Sequence, residues 1–330
     1  MNIENLKIRS QVIKAIRSWF DDQGFLEMHT PRMVGLPGQE PYLDPFWTQI
    51  EHRTSNNELR ITKAALVTSP EYSMKKLLGE GMDKIYDLGP CFRNSEPWDG
   101  SHDPEFLMLE WYTRDAGVVE LMNQTEEMIK SVVTRIPDSR FQITKSIRRM
   151  TVEEAWREYA VVELAPLLED REAMAKLASE KFCQTVSDQD DWEDIYFKIF
   201  LSVIEPKIEA GEPTFLYRYP ASMAALARRS SDDLRWADRV EFYAGGLELA
   251  NGFAELCDPV EQRERFEEEQ TLRKSLSKEV WDIDEELLSA LPKMDNAAGI
   301  AFGVDRLVML ICGAKSITEV IPFSAKERFL

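Results

Sequence analysis

The chain has 330 residues, 44% hydrophobic and 30% charged, an ordinary globular composition with enough apolar sequence for a substantial core. Its net charge is −19, from 40 basic and 59 acidic residues, which argues against a broad nucleic-acid surface. No apolar run approaches the roughly 18 residues of a membrane helix, and the first residues lack the basic and apolar regions of a signal peptide. Cys91, Cys183, Cys257 and Cys312 form no zinc spacing with His29, His52 and His102, so a reducing cytoplasm fits best. A local basic patch around Arg228, Arg229, Arg235 and Arg239 stays open, beside the alternative of a solvated helix face.

Residues 5–23 read as an amphipathic helix, with Val12, Ile13, Ile16, Trp19 and Phe20 near i, i+3, i+4, i+7 spacing and Gly24 as its stop. A strand over 25–30 follows, ended by Pro31. Residues 68–78 form a short helix. Ser69 suits its N-cap, Pro70 its first position, Glu71 the positive end of the dipole and Gly79 the stop. Strands are expected over 84–93 and 106–114, and the loop from Asn94 to Glu105 is far longer than a tight hairpin needs. From 115 to 210 the pattern is mostly helical and polar, with a helical insertion at about 145–210. Strand signals return at Thr214–Tyr219 and Arg239–Leu256, and the chain closes on a strand, a glycine corner and a helix. Antiparallel strand signals flanked by helices make the fold class α+β.

Alternation along 106–112 places Phe106, Met108, Glu110 and Tyr112 on one face. A carboxylate on a largely apolar face needs a partner; a bound ammonium would serve, and so would a neighbouring Arg or Lys. Gly245-Gly246 suits a two-residue hairpin that sets Glu241 and Glu248 on adjacent strands facing each other. Such carboxylates repel unless a divalent cation or proton lies between them, and magnesium bridging nucleotide phosphates is the natural occupant. Glu255 lies seven residues beyond Glu248, so a bulge at Asn251-Gly252 is expected to return it to that face. Arg93 and Arg306 each stand beside turn-forming or aromatic residues, and two such forks can clamp both ends of a triphosphate. Arg306 sits against its helix dipole, which calls for an anionic partner.

Ser69-Pro70-Glu71, Phe92-Arg93-Asn94, Pro104-Glu105-Phe106, Glu248-Leu249-Ala250-Asn251-Gly252-Phe253 and Gly303-Val304-Asp305-Arg306 occur in this order. The chain thereby resembles class II lysyl-tRNA synthetases, above all the short paralogues that attach β-lysine to elongation factor P. The resemblance implies one catalytic domain over 1–330, an antiparallel sheet flanked by helices, no anticodon-binding barrel and hence no anticodon contact. It implies a cytoplasmic homodimer that adenylates (R)-β-lysine or lysine with ATP and Mg2+ and passes it to a lysine side chain of elongation factor P. By the same resemblance Arg93, with Asn94, Ser95, Glu96, Asp103 and Phe106, would hold the adenylate end of ATP, together with Glu248, Leu249 and Gly303. Arg306 would take the γ-phosphate, and Glu241 and Glu248 would bind magnesium. Ser69, Pro70, Glu71, Glu110, Tyr112, Asn251, Glu255 and Ala301 would line the amino-acid site, Ala301 replacing the glycine of true synthetases.

Two positions depart from the family pattern. Ser95 stands where the family has Glu, with Glu96 one place late, and Asp103 stands where Asn is usual. Two other readings stay open: an adenylating enzyme for another amino acid or carrier, and a non-catalytic regulatory paralogue.

Overall fold

A helix, Ile3–Asp22, opens the chain, and its start is set by Asn2, whose side chain accepts from the amides of Glu4 and Asn5. Its stripe of Val12, Ala15, Ile16, Trp19 and Phe20 is buried, and Gly24 ends it at φ +76°. Phe20 stacks on Tyr86 at 4.5 Å between ring centroids and meets Trp111 edge-on at 5.4 Å. Wholly buried rings such as Trp111 each contribute about 1.5–3 kcal/mol.

A computed structural model describes residues 2–143 and 145–330. Its strands, in chain order, are β1 (Leu26–Met28), β2 (Met33–Val34), β3 (Trp47–Arg53), β4 (Leu59–Leu66), β5 (Lys84–Phe92) and β6 (Glu105–Arg114). They continue with β7 (Arg148–Thr151), β8 (Thr214–Pro220), β9 (Trp236–Ala244), β10 (Leu247–Ala254) and β11 (Ala297–Gly303). The packing divides the chain into two compact units. One runs to Ala116 and includes Glu127–Gln142 and Cys257–Leu330; the other comprises Gly117–Glu126 and Ile143–Leu256.

In the first unit the strands run β1-β5-β6-β11, and β2-β4-β3 form a small antiparallel sheet of their own. Strands β5, β6 and β11 pair antiparallel, while β1 pairs parallel with β5. The long stretch between Met28 and Lys84, which holds the Glu71–Gly79 helix, makes that parallel pairing possible. The second unit has the order β10-β9-β8-β7, antiparallel except for β7 against β8. The α+β expectation therefore holds, but each unit carries one parallel edge strand where an antiparallel sheet was expected.

The 145–210 segment begins with strand β7 before its helices, Val152–Ala155, Arg171–Phe182, Trp192–Ile199 and Glu205–Glu209. Its polar sequence still hides a core. Tyr196 lies 5.2 Å from the Trp156 ring and 5.5 Å from Phe200, packed with Leu216, Tyr219 and Tyr243 of β8 and β9. The β9–β10 hairpin turns through Gly245 and Gly246 at φ +60° and +79°, a conformation glycine adopts without strain. The bulge falls at Leu249, between Glu248 and Ala250, rather than at Asn251-Gly252.

Candidate active site

The Glu71–Gly79 helix starts one residue later than the sequence suggested, so Pro70 rather than Ser69 stands at its N-cap, while the Ser69 hydroxyl one place outside accepts the Glu71 amide at 3.0 Å. The same hydroxyl donates to Glu110 Oε1 at 2.5 Å, and Tyr112 donates to Glu110 Oε2 at 3.1 Å. Ser69, Glu110 and Tyr112 thus form one bonded group, with Pro70 setting the corner between Ser69 and Glu71. Burial, then the charge of nearby Glu71, pushes the Glu110 carboxyl up to about 8, against the lowering effect of the Ser69 and Tyr112 bonds. Glu71 is itself buried and takes the ammonium of Lys75, 1% exposed, at 2.5 Å. Ala301 of β11 stands directly across from Glu110, and Gly303 across from Met108, so the face over Glu110 is kept low by small residues.

Arg93 follows the end of β5, its amide bonded to the Pro104 carbonyl and its guanidinium 5.1 Å from the Phe106 ring centroid. Arg93 Nε is sealed from solvent without a hydrogen-bond partner, as expected of a group awaiting an anion. Asn94 is exposed and bridges to Asp44, and Ser95 adopts the left-handed region at φ +63°, which opens the long loop. Deeper in that loop His102 contacts Arg306 Nη2 at 3.3 Å through Nε2, with Glu96 Oε2 3.9 Å from the same nitrogen. His102 Nδ1 lies near Ser101 and Asp99. Motif residues Arg306 and Glu96 therefore meet at one imidazole.

Asp103 turns elsewhere. Its carboxylate accepts the Ala325 amide at 2.7 Å and Arg328 Nη2 at 2.7 Å, at the start and within the C-terminal Ala325–Phe329 helix. Arg328 also reaches Glu105 at 2.8 Å. Asp103 is thus spent on a protein contact, which corrects its expected place among the nucleotide ligands. The carboxylate that stands there in place of the usual Asn makes this contact a charge-assisted pair with Arg328. Asp305 is likewise buried, accepting the Leu107 amide at 2.7 Å and Arg9 at 3.0 Å, so it fastens the start of the Val304–Cys312 helix to β6 and the N-terminal helix.

In the second unit, Asn251 rather than Glu248 stands opposite Glu241, and Glu248 faces Tyr243. The bulge at Leu249 nevertheless keeps Glu241, Glu248 and Asn251 on one side, and the alternation beyond it returns buried Glu255 to that side. Glu241 receives Tyr243 at 2.7 Å, Asn251 at 3.4 Å, and both Tyr219 and Arg239 more closely. Arg239, offered by the sequence as part of a surface patch, is thereby an internal partner. With four donors converging on it, Glu241 does not fit as a direct magnesium ligand, and the two carboxylates expected to face each other across the hairpin do not. Among the described residues no group of three or more His, Cys, Asp and Glu side chains could hold a metal ion.

Sequence reasoning missed Lys75 and the C-terminal helix. Lys75 lies four residues after Glu71, a spacing that signals an ion pair on one helix face. Nothing local ties Arg328 to Asp103 across more than two hundred residues.

The family model of class II tRNA synthetases (D, K and N) matches residues 2–327. A protein of Proteus mirabilis named elongation factor P–(R)-β-lysine ligase is 37% identical over 324 residues, 98% of this chain and 95% of its own. Proteins of the same name from Photorhabdus laumondii (37%, over 98% and 95%) and Avibacterium paragallinarum (36%, over 99% and 97%) are similarly close.

Proposed function

From the premise that this chain belongs to the class II tRNA synthetase family, we propose that it is an ATP-dependent ligase acting on elongation factor P. It activates (R)-β-lysine or lysine as an aminoacyl-adenylate and transfers it to a lysine side chain of that factor. The observation that carries the reading is the bonded group of Ser69, Glu110 and Tyr112 beside Glu71, a buried recess whose Glu110 carboxyl would ionise against an incoming amine. The relatives' shared name supplies the acceptor.

In the first step a substrate carboxylate oxygen attacks the α-phosphorus of ATP, an O–P bond forms, and pyrophosphate leaves. In the second, the acceptor amine attacks the acyl carbon, AMP leaves, and the amine gives up a proton. No side-chain nucleophile is required, so catalysis is positioning and charge neutralisation. Arg93 offers its guanidinium to the carboxylate and α-phosphate, with Phe106 beneath it as a surface for adenine. Arg306, steadied by His102, is the cation for the far phosphates. Glu248 would hold magnesium beside the nucleotide, and the ion would supply neutralisation of phosphate charge, while Glu241 serves Arg239, Tyr219 and Tyr243. Glu248, Leu249, Asn251 and Glu255 join the reading through their family motif alone, as does a cytoplasmic homodimer.

Pyrophosphate exchange with (R)-β-lysine and L-lysine, followed by intact-mass measurement of elongation factor P, tests this. Exchange with one of them and a mass gain of one lysyl unit are expected. No exchange with either amino acid overturns the reading.

A further inference from the structure

Beside the amine recess lies a cavity of about 20 Å3, lined in part by Gly38, Glu40, Thr68, Ser69, Glu71 and Tyr72. That is room for one water-sized group, and an ammonium is water-sized. We propose that Glu40 is a further substrate-recognition residue, its carboxylate joining Glu71 in holding the amino group of the amino acid. This rests on the amino-acid-activating reading above.

The charge balance is the first argument. Glu71 is already paired with buried Lys75 at 2.5 Å, so the two together present no net charge to an incoming ammonium. A second carboxylate on the same cavity restores the negative excess. Glu40 is the one placed to do so: its Oε2 is sealed from solvent and has no hydrogen-bond partner. A buried, unpartnered carboxylate oxygen is costly, and it is tolerated where a ligand completes it.

Gly38 supplies the second argument. A Cβ there would lie 2.1 Å from Glu40 Oε2, so only glycine lets the carboxylate fold back into the cavity. The Glu40 backbone is fixed as well, its carbonyl accepting Arg273 Nη1 at 2.8 Å. Arg273 is fully buried and lies over Trp281, which makes it a rigid anchor.

The groups acting on Glu40 come from three directions. The Glu71–Gly79 helix brings Glu71, Tyr72 and Lys75; the end of β5 brings Arg93; the Pro259–Ser275 helix brings Glu269, flanked by Arg265 and Arg273. Burial first, then the charge of Glu71, raises the Glu40 carboxyl above its ordinary value, opposed by a hydrogen bond from the residue's own amide and then by Arg93 and Lys75. An ammonium in the cavity acts in the opposite sense and favours the ionised form. Amino-acid binding should therefore release protons, with part of the release belonging to Glu40.

The test is titration calorimetry of (R)-β-lysine and L-lysine into the full chain, wild type, Glu40→Gln and Glu40→Asp, in buffers of different ionisation enthalpy. ATP is titrated separately. Glu40→Gln is expected to weaken binding of the preferred amino acid about tenfold or more and to reduce the protons released, leaving ATP affinity within about twofold. Glu40→Asp, which keeps the charge but withdraws it by one methylene, is expected to fall between, and it serves if the Gln variant does not fold. Wild-type affinity and proton release in both variants overturn the inference while leaving the proposed function intact. A wild type that binds neither amino acid overturns the activating reading and this inference with it.

Discussion

Arg328→Ala probes the link between the chain's last helix and the motif 2 loop. In the intact protein Arg328 bonds Asp103 at 2.7 Å and Glu105 at 2.8 Å. The Asp103 side chain is only 2% exposed, whereas that of Arg328 is 30% exposed. Removing the partner of a fully buried charge costs about 3–5 kcal/mol. Here solvent reaches the arginine, and Asp103 keeps the Ala325 amide, so the loss should be about 1–3 kcal/mol. Because Asp103 lies in the loop that carries His102 to Arg306, the variant should also raise the KM for ATP more than it lowers kcat. Urea unfolding gives the first quantity and pyrophosphate exchange at varied ATP the second. Asp103→Asn removes the buried charge itself, so adding Arg328→Ala to it should cost less than in the wild type. Full additivity of the two substitutions, or an unchanged ATP KM in Arg328→Ala, would refute the coupling.

Glu110 makes stability and binding depend on pH in opposite senses. Its folded-state value of about 8 lies above the unfolded one, so the folded state binds more protons between about 4.5 and 8 and loses stability as pH rises through that window. Glu110→Gln should flatten the fall in Tm from pH 6 to 8; an identical slope in both proteins counts against the assignment. Amino-acid affinity in the wild type should instead improve toward pH 8, as Glu110 ionises, and calorimetry across pH 6–8 would detect the opposite trend. Glu241→Ala leaves Arg239, Tyr219 and Tyr243 without their shared acceptor and should destabilise by about 2–4 kcal/mol in magnesium-free buffer, read by urea unfolding. A fully stable variant with altered magnesium dependence would return Glu241 to a metal role. Gly89→Ala would set a Cβ 1.9 Å from the Arg32 guanidinium that pairs with buried Asp87, and a Tm within 1 °C of wild type would contradict that packing, since about 1–3 kcal/mol is expected.

Much of the molecule was legible from local pattern. The opening helix, the strands at Lys84–Phe92 and Glu105–Arg114 and the diglycine hairpin follow from apolar spacing and turn chemistry, which act over a few residues. The amine recess was also legible in part, because alternation put Glu110 and Tyr112 on one face. The bulge was legible in its consequence and not in its place: a seven-residue step demands one extra residue, but Leu249 and Asn251-Gly252 satisfy that count equally. The parallel pairing of β1 with β5 and of β7 with β8 was not legible, since sequence period is the same for both strand directions.

The sequence by itself determined the α+β class, the family and the order of its motifs, because these reside in residue type and short spacing. Tertiary structure decided who partners whom. Lys75 neutralises Glu71, Arg328 claims Asp103, His102 meets Arg306, and Tyr219, Tyr243 and Arg239 converge on Glu241. Each is a contact between charges or hydrogen-bonding groups whose strength depends on distance and burial, and both quantities come into being only when the chain has folded.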